Sequence, residues 1–344
     1  MVIIMQAGAS EAEVDAVIAQ VEKAGFRPFV NPGVERRVIA LLGAVDAEKA
    51  ELVDHFSALP GVERVTLISE PYKLASRRTH PESSVVTVGP VTIGGSQLAV
   101  IAGPCSVESR EQMIETAVAV KNAGANLLRG GAYKPRTSPY SFQGLGVEGL
   151  EILAEARRLT GLPIVAEVLH PADLEAIAQY ADVIQIGARN MQNFRLLQDV
   201  GVTGKPVILK RNPGCRIRDL LMASEYIMLE GNRNVVLCER GITTFENATR
   251  YTMDINAIPV IKRFSHLPVI ADPSHAVGDW RYVTSIALSA IAAGADGIMV
   301  EVHPDPSAAL SDGPQSLRPD KFVELMRSAA QVAAAVGRTV PPSE

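Results

Sequence analysis

Between Leu98 and Val302 the chain carries eight short apolar runs, and each stops at or just before a residue able to hold a metal or an anion. They are LAVIAGP before Cys105, ANLL before Arg129, LPIVA before Glu167, ADVIQIGA before Arg189, KPVIL before Lys210, NVVLCE before Arg240, LPVIADPS before His275 and DGIMV before Glu301. The intervals are long enough for a helix and mostly show helical periodicity. Alternating strands and helices, with polar residues at the strands' carboxyl ends, predict an α/β fold of the (β/α)8 barrel type, whose active site lies on that face. VVTVGPVTIGG predicts a hairpin closing the barrel's amino-terminal mouth, and KFVELMRSAAQVAAAVG the last helix.

The first seventy residues follow another pattern. VIIMQ reads as a strand; Ser10 and Glu13 form a capping box before Val14, Val17, Ile18 and Val21, which share one helical face. RPFV, a turn at Asn31-Pro32-Gly33, RRVIALLG, the amphipathic AEKAELVDHFSAL and VERVTLI complete the order βαββαβ of a ferredoxin-like sandwich. The expected organisation is a ferredoxin-like regulatory domain at 1–70, a linker at 71–85 and the catalytic barrel at 86–340. Regulation is here an analogy from fold.

Composition narrows the function classes. A net charge of -5 with no basic tail or aromatic-basic stripe argues against a nucleic-acid partner. The start lacks a cationic n-region, and the apolar SIALSAIAAGADGIMVEV is broken by Gly294, Asp296 and Gly297, so neither a signal peptide nor a membrane span is expected. Cys105, Cys215 and Cys238 are sparse and lack CxxC spacing, which fits a reducing cytoplasm better than a disulfide framework.

Two constellations carry chemistry. Cys105, His275 and Glu301 follow strands one, seven and eight, neighbours once the barrel closes, and Asp312 lies in the loop after strand eight. Singly, each has an ordinary reading as a small buried hydrophobe, a turn residue or a solvated acid. Together, a thiolate, an imidazole and two carboxylates suit a divalent transition metal, and the set does not choose among manganese, iron, cobalt and zinc. The second group is cationic: Arg129, Lys134, Arg136, Arg189, Lys210, Arg211 and Arg240 stand near strand ends in an acidic chain. Cations converging on one mouth repel unless an anion sits among them, so this face is expected to hold phosphate or carboxylate. The densest motif, Arg129-Gly130-Gly131-Ala132-Tyr133-Lys134-Pro135-Arg136-Thr137-Ser138, combines glycines for close backbone approach with donors for phosphate oxygens.

With GPCSVES, LRGGAYKPRTSPYSFQG, QIGARNMQNF, LKR, CERG, DPSH and EVHPDPSAALSDGPQSL, the chain resembles, over essentially its whole length, the 3-deoxy-D-arabino-heptulosonate 7-phosphate (DAHP) synthases. The likeness is to their short microbial form with an amino-terminal ferredoxin-like domain. It implies condensation of phosphoenolpyruvate with erythrose 4-phosphate, releasing phosphate, as the first step of the shikimate pathway. It further implies metal ligation by Cys105, His275, Glu301 and Asp312. Phosphoenolpyruvate would be held by Arg129, Lys134, Arg189, Lys210 and Arg240, near the backbone of Gly187 and Ala188 and the carboxylate of Glu167. Arg136 and Thr137 would meet erythrose 4-phosphate, and Lys134 is the expected proton donor, with a pKa lowered by neighbouring cations. A homotetramer is implied as well.

Two departures from the family pattern stand out. Asn212 replaces the usual glycine after Leu-Lys-Arg, and the turn able to present polar groups to tyrosine or phenylalanine contains apolar Phe29 and Pro32, which lacks an N–H. Effector binding is therefore left open. Three other readings compete. Synthesis of 3-deoxy-D-manno-octulosonate 8-phosphate from arabinose 5-phosphate is disfavoured by KPRTS, where those relatives carry a KANRS-like segment. A Schiff-base aldolase using Lys134 or Lys210 leaves the Cys/His/Glu/Asp set unexplained. An amino-acid sensor on a dead barrel would fit the loss of a site residue, and none is missing.

Overall fold

The computed structural model describes residues 1–31, 37–42, 49–66, 71–136 and 138–343. They form two compact units, Met1–Ser83 with Arg263–His266, and Ser84–Lys262 with Leu267–Glu344.

In the small unit, Val2–Met5 (β1), Glu11–Lys23 (α1), Arg27–Asn31 (β2), Val38–Leu42 (β3), Lys49–Ser57 (α2) and Val62–Thr66 (β4) follow the expected βαββαβ order. The strands make one antiparallel sheet, β2-β3-β1-β4, with Ile3 opposite Ile39 on one side and Val65 on the other. Ser10 caps α1: the Glu13 carboxylate accepts from the Ser10 N–H at 2.7 Å, and the Glu13 N–H donates to Ser10 Oγ at 3.3 Å. The periodic face of α1 then buries Val14, Val17 and Val21 in one core with Ile3, Met5, Ile39, Leu41 and Phe56. Asn31 ends β2, while Pro32 and Gly33 of the expected effector turn lie outside the described residues. The stretch read as a linker contains buried Tyr72, Leu74, Ala75 and Ser76, and it belongs to the small unit as far as Ser83.

In the large unit, Val86–Val88 (β5) and Val91–Ile93 (β6) form the antiparallel hairpin. The alternation that follows is Ala99–Gly103 (β7), Arg110–Asn122 (α3), Leu127–Arg129 (β8), Val147–Thr160 (α4), Ile164–Val168 (β9), Leu174–Tyr180 (α5), Val183–Ile186 (β10), Phe194–Val202 (α6), Val207–Lys210 (β11), Ile217–Leu229 (α7), Val235–Glu239 (β12), Ala257–Phe264 (α8), Val269–Ala271 (β13), Pro273–Val277 (α9), Trp280–Ala292 (α10), Gly297–Glu301 (β14) and Pro319–Ala335 (α11). The parallel strands β7 to β14 close into a barrel in chain order, β14 pairing back onto β7. Side chains from both faces of these strands are buried, as expected when helices cover the outside and side chains fill the inside. Val86, Val88, Val91 and Ile93 of the hairpin share one apolar cluster with Ile101, Leu127, Val165, Ile208, Ile270 and Met299.

Strand register places the chemistry at one level. Arg129, Lys210 and Glu301 are the last residues of β8, β11 and β14, and Glu167 stands one short of the end of β9; across the ladder Glu301 pairs with Gly103, Lys210 with Cys238 and Glu167 with Gln185. Gly103 has φ +149°, and a Cβ there would stand 2.1 Å from the Arg129 carbonyl oxygen. Only glycine lets β7 and β8 approach so closely beneath the rim.

Candidate active site

A cavity of about 560 Å³ opens on that face. Its walls carry the cations Arg129, Lys134, Arg136, Arg189, Lys210, Arg240 and Arg250, with Glu167, His275 and Asp312 among them. Every cation named in the expected substrate set reaches this cavity. Thr137 lies outside the described residues.

On one side the acids and the thiol converge. Cys105, Glu301 and Asp312 offer ligand atoms that all lie within 4.8 Å of one another, and Cys105 Sγ is 3.2 Å from Asp312 Oδ2. His275 stands beside this group, its Nε2 3.4 Å from Glu301 Oε1. Asp312 is the one non-glycine residue with positive φ (49°) among the described residues, a conformation open to aspartate at modest cost. Glu301 is buried and well held on its far side: Gln315 Nε2 donates to its Oε2 at 2.7 Å, and its backbone N–H donates to Ser274 Oγ at 3.0 Å. Its Oε1 accepts no hydrogen bond, although Arg129 Nη2 stands 3.1 Å away.

The electrostatics fit a cation site. Burial, reinforced by the charges of Glu301 and Asp312, pushes the Cys105 thiol up to about 12. Burial would also raise the Glu301 carboxyl, but His275 and Arg129 outweigh it and hold the group below its ordinary value. Burial lowers the His275 pKa despite Asp272 and Glu301, so the ring is a neutral imidazole at neutral pH. A thiol that ionises with difficulty, a neutral imidazole and two carboxylates, one with a bare buried oxygen, suit a divalent metal.

The opposite wall is built to receive anions. Arg129 Nη1 and Arg240 Nη1 are buried and donate to nothing in the structure, a costly arrangement unless an acceptor enters the cavity. The Arg240 guanidinium lies 4.5 Å from the Tyr251 ring centroid, which orients it. Arg189 Nη1 donates to the Pro135 carbonyl at 2.6 Å and so ties the KPRTS loop to the loop after β10. Asn212 Nδ2 donates to the Ala188 carbonyl at 3.2 Å, so the side chain that departs from the family pattern braces the Gly187-Ala188 backbone.

Two readings are corrected. The Lys134 ammonium has a raised pKa: burial alone would lower it, but Cys105, Glu167 and Glu301 outweigh burial and the repulsion from Arg129. Its Nζ donates to both the Cys105 carbonyl and Sγ at 2.9 Å. Arg211 turns out of the cavity, where Glu239 at 2.8 Å and Asp254 at 2.9 Å neutralise it. Sequence reasoning missed Asp272, Gln315, Arg250 and Tyr251. DPSH was read for its histidine alone, and the other three sit in loops whose course the strand pattern does not fix.

The chain's residues 78–337 match the DAHP synthetase I family, and residues 1–70 match the DAHP synthase ferredoxin-like domain. The chain belongs to the DAHP synthetase I family. It is 48% identical over 337 residues to the phospho-2-dehydro-3-deoxyheptonate aldolase of Thermotoga maritima, covering 98% of this chain and 99% of the relative. The crystal structure of a phospho-2-dehydro-3-deoxyheptonate aldolase (DAHP synthase) from Thermotoga maritima superposes with a TM-score of 0.79 at 47% identity, covering 98% of each chain. A 2-dehydro-3-deoxyphosphooctonate aldolase of Syntrophobacter fumaroxidans is more distant, at 34% identity over 68% of this chain and 87% of its own length. Kinship with the DAHP synthases thus spans both units, including the ferredoxin-like one.

Proposed function

We propose that the protein condenses phosphoenolpyruvate with erythrose 4-phosphate to give DAHP and inorganic phosphate, in the cytoplasm. The observation that carries this reading is the meeting, in one cavity, of buried guanidinium nitrogens that lack hydrogen-bond partners and a thiol-imidazole-carboxylate cluster. The full-length likeness to a phospho-2-dehydro-3-deoxyheptonate aldolase supports it.

Cys105, His275, Glu301 and Asp312 would hold the metal, which supplies Lewis-acid polarisation of the aldehyde when bound. Arg129, Arg189, Lys210 and Arg240 bind the phosphate and carboxylate of phosphoenolpyruvate and fix its methylene carbon towards the aldehyde carbon. Arg136 and Thr137 take the phosphate end of the aldose. As the carbon-carbon bond forms, negative charge gathers on the former aldehyde oxygen, and Lys134 delivers its proton there. Its raised pKa keeps the ammonium charged until that oxygen becomes the stronger base. Water then adds to the cationic second carbon, and the hemiketal phosphate loses phosphate by carbon-oxygen cleavage.

The four-carbon acceptor is favoured over arabinose 5-phosphate by the KPRTS loop and by the wider distance to the octulosonate aldolases. The test is phosphate release by metal-reconstituted protein with phosphoenolpyruvate and each aldose phosphate. Turnover with erythrose 4-phosphate, at least about tenfold above that with arabinose 5-phosphate, is expected. The reverse preference, or no phosphate release with either sugar, would overturn the assignment.

A further inference from the structure

Asp272 follows β13 and is fully buried. Its backbone N–H donates to the Glu239 carbonyl at 2.8 Å, and its Oδ1 accepts from the His275 N–H at 3.0 Å, which fixes the carboxylate. The other oxygen, Oδ2, lies 2.5 Å from Lys210 Nζ and 2.8 Å from His275 Nδ1, the latter a close charge contact that lacks the alignment of a hydrogen bond. A single oxygen therefore faces both a residue assigned to the metal and a residue assigned to phosphoenolpyruvate.

We propose that Asp272 is a positioning residue that couples the two sites, so that metal bound through His275 and an anion bound through Lys210 each tighten the other through the shared Oδ2. A cation at Nε2 makes the Nδ1 side of the ring more positive, which through the 2.8 Å contact draws the negative charge of Asp272 towards the imidazole. Lys210 is then less neutralised and holds an incoming phosphate or carboxylate more firmly. In the other direction, an anion that draws Lys210 away leaves Asp272 to His275, raising the ring's basicity towards the metal. Linkage makes the two effects equal in free energy. The inference rests on the functional reading above.

Cation and anion in one cavity also attract directly, so coupling in the wild-type protein does not isolate Asp272. Its change on substitution does. Asp272→Asn keeps the shape and removes the charge. Phosphoenolpyruvate dissociation constants are measured by calorimetry on the full-length protein, metal-free and Mn(II)-loaded, and Mn(II) constants by equilibrium dialysis with and without phosphoenolpyruvate. The wild-type coupling factor is expected to exceed that of Asp272→Asn by at least about fivefold, with both legs of the cycle agreeing. Equal factors in the two proteins would overturn the coupling and leave the functional reading intact. Loaded wild-type protein that binds no phosphoenolpyruvate would overturn both.

A second comparison does not depend on Asp272→Asn folding. Lys210→Gln frees Asp272 for His275, whereas Arg240→Gln removes a cavity cation that does not touch it. Without phosphoenolpyruvate, Mn(II) binding is expected to tighten more in Lys210→Gln than in Arg240→Gln. An equal or smaller gain would count against the shared oxygen.

Discussion

At the residue scale, the chemistry turns on how burial and charge set protonation. Metal-free, the Cys105 thiol is held up to about 12, far above the ordinary cysteine range near 8.5, so at neutral pH it carries its proton. Metal ligation needs the thiolate, so binding must release that proton, while His275 is already neutral and releases none. Affinity should therefore rise with pH by about tenfold per unit between pH 7 and 9. Calorimetry in buffers of different ionisation enthalpy is expected to count close to one proton released in the wild type. Lys134 gives a second prediction at this scale. Lys134→Met removes both the proton donor and a cavity cation, and kcat should fall by about 10² to 10⁴ with metal content unchanged. Near-native turnover would remove the role assigned to it.

At the element scale, close approach of backbones sets the barrel rim. Gly103→Ala places a methyl group 2.1 Å from the Arg129 carbonyl, where no rotamer can relieve the clash, so β7 and β8 must part. A loss of roughly 2–4 kcal/mol in urea unfolding is expected. Gly187→Ala differs, because the atom it meets is Glu167 Oε1, the movable end of a side chain held by Gln185 at 2.9 Å. Fold stability should change little there. The KM for phosphoenolpyruvate should rise, because Glu167 would have to swing from the position it occupies in the cavity wall, a separation that steady-state kinetics beside thermal melts would show.

At the scale of the whole molecule, the small unit poses the question of regulation. Its βαββαβ sheet matches the ferredoxin-like domain of the DAHP synthases, but Phe29 brings no polar side chain to the end of β2. Titration with tyrosine and phenylalanine decides the matter: heat together with inhibition would make the unit an effector domain, and neither would make it a structural cap. Among the described residues no helix is long and apolar enough to cross a membrane. Light scattering tests the expected homotetramer of a 36.7 kDa chain.

The order of strands and helices was legible in the chain because hydrophobic periodicity is a local property: the runs ending at Cys105, Arg129, Lys210 and Glu301 read directly as barrel strands. The placement of cations at strand ends was legible too, since barrel topology turns position along a strand into position on a face. Tertiary structure alone decided which charges meet. Arg211 and Lys210 are adjacent in sequence, yet alternation along the strand end sends one to Glu239 and Asp254 and the other to the cavity wall, where buried Asp272 holds it. The protonation of Lys134 went the same way. The other charged groups of its motif are the cations Arg129 and Arg136, but folding sets it against Cys105, Glu167 and Glu301, and a charge responds to what is near in space.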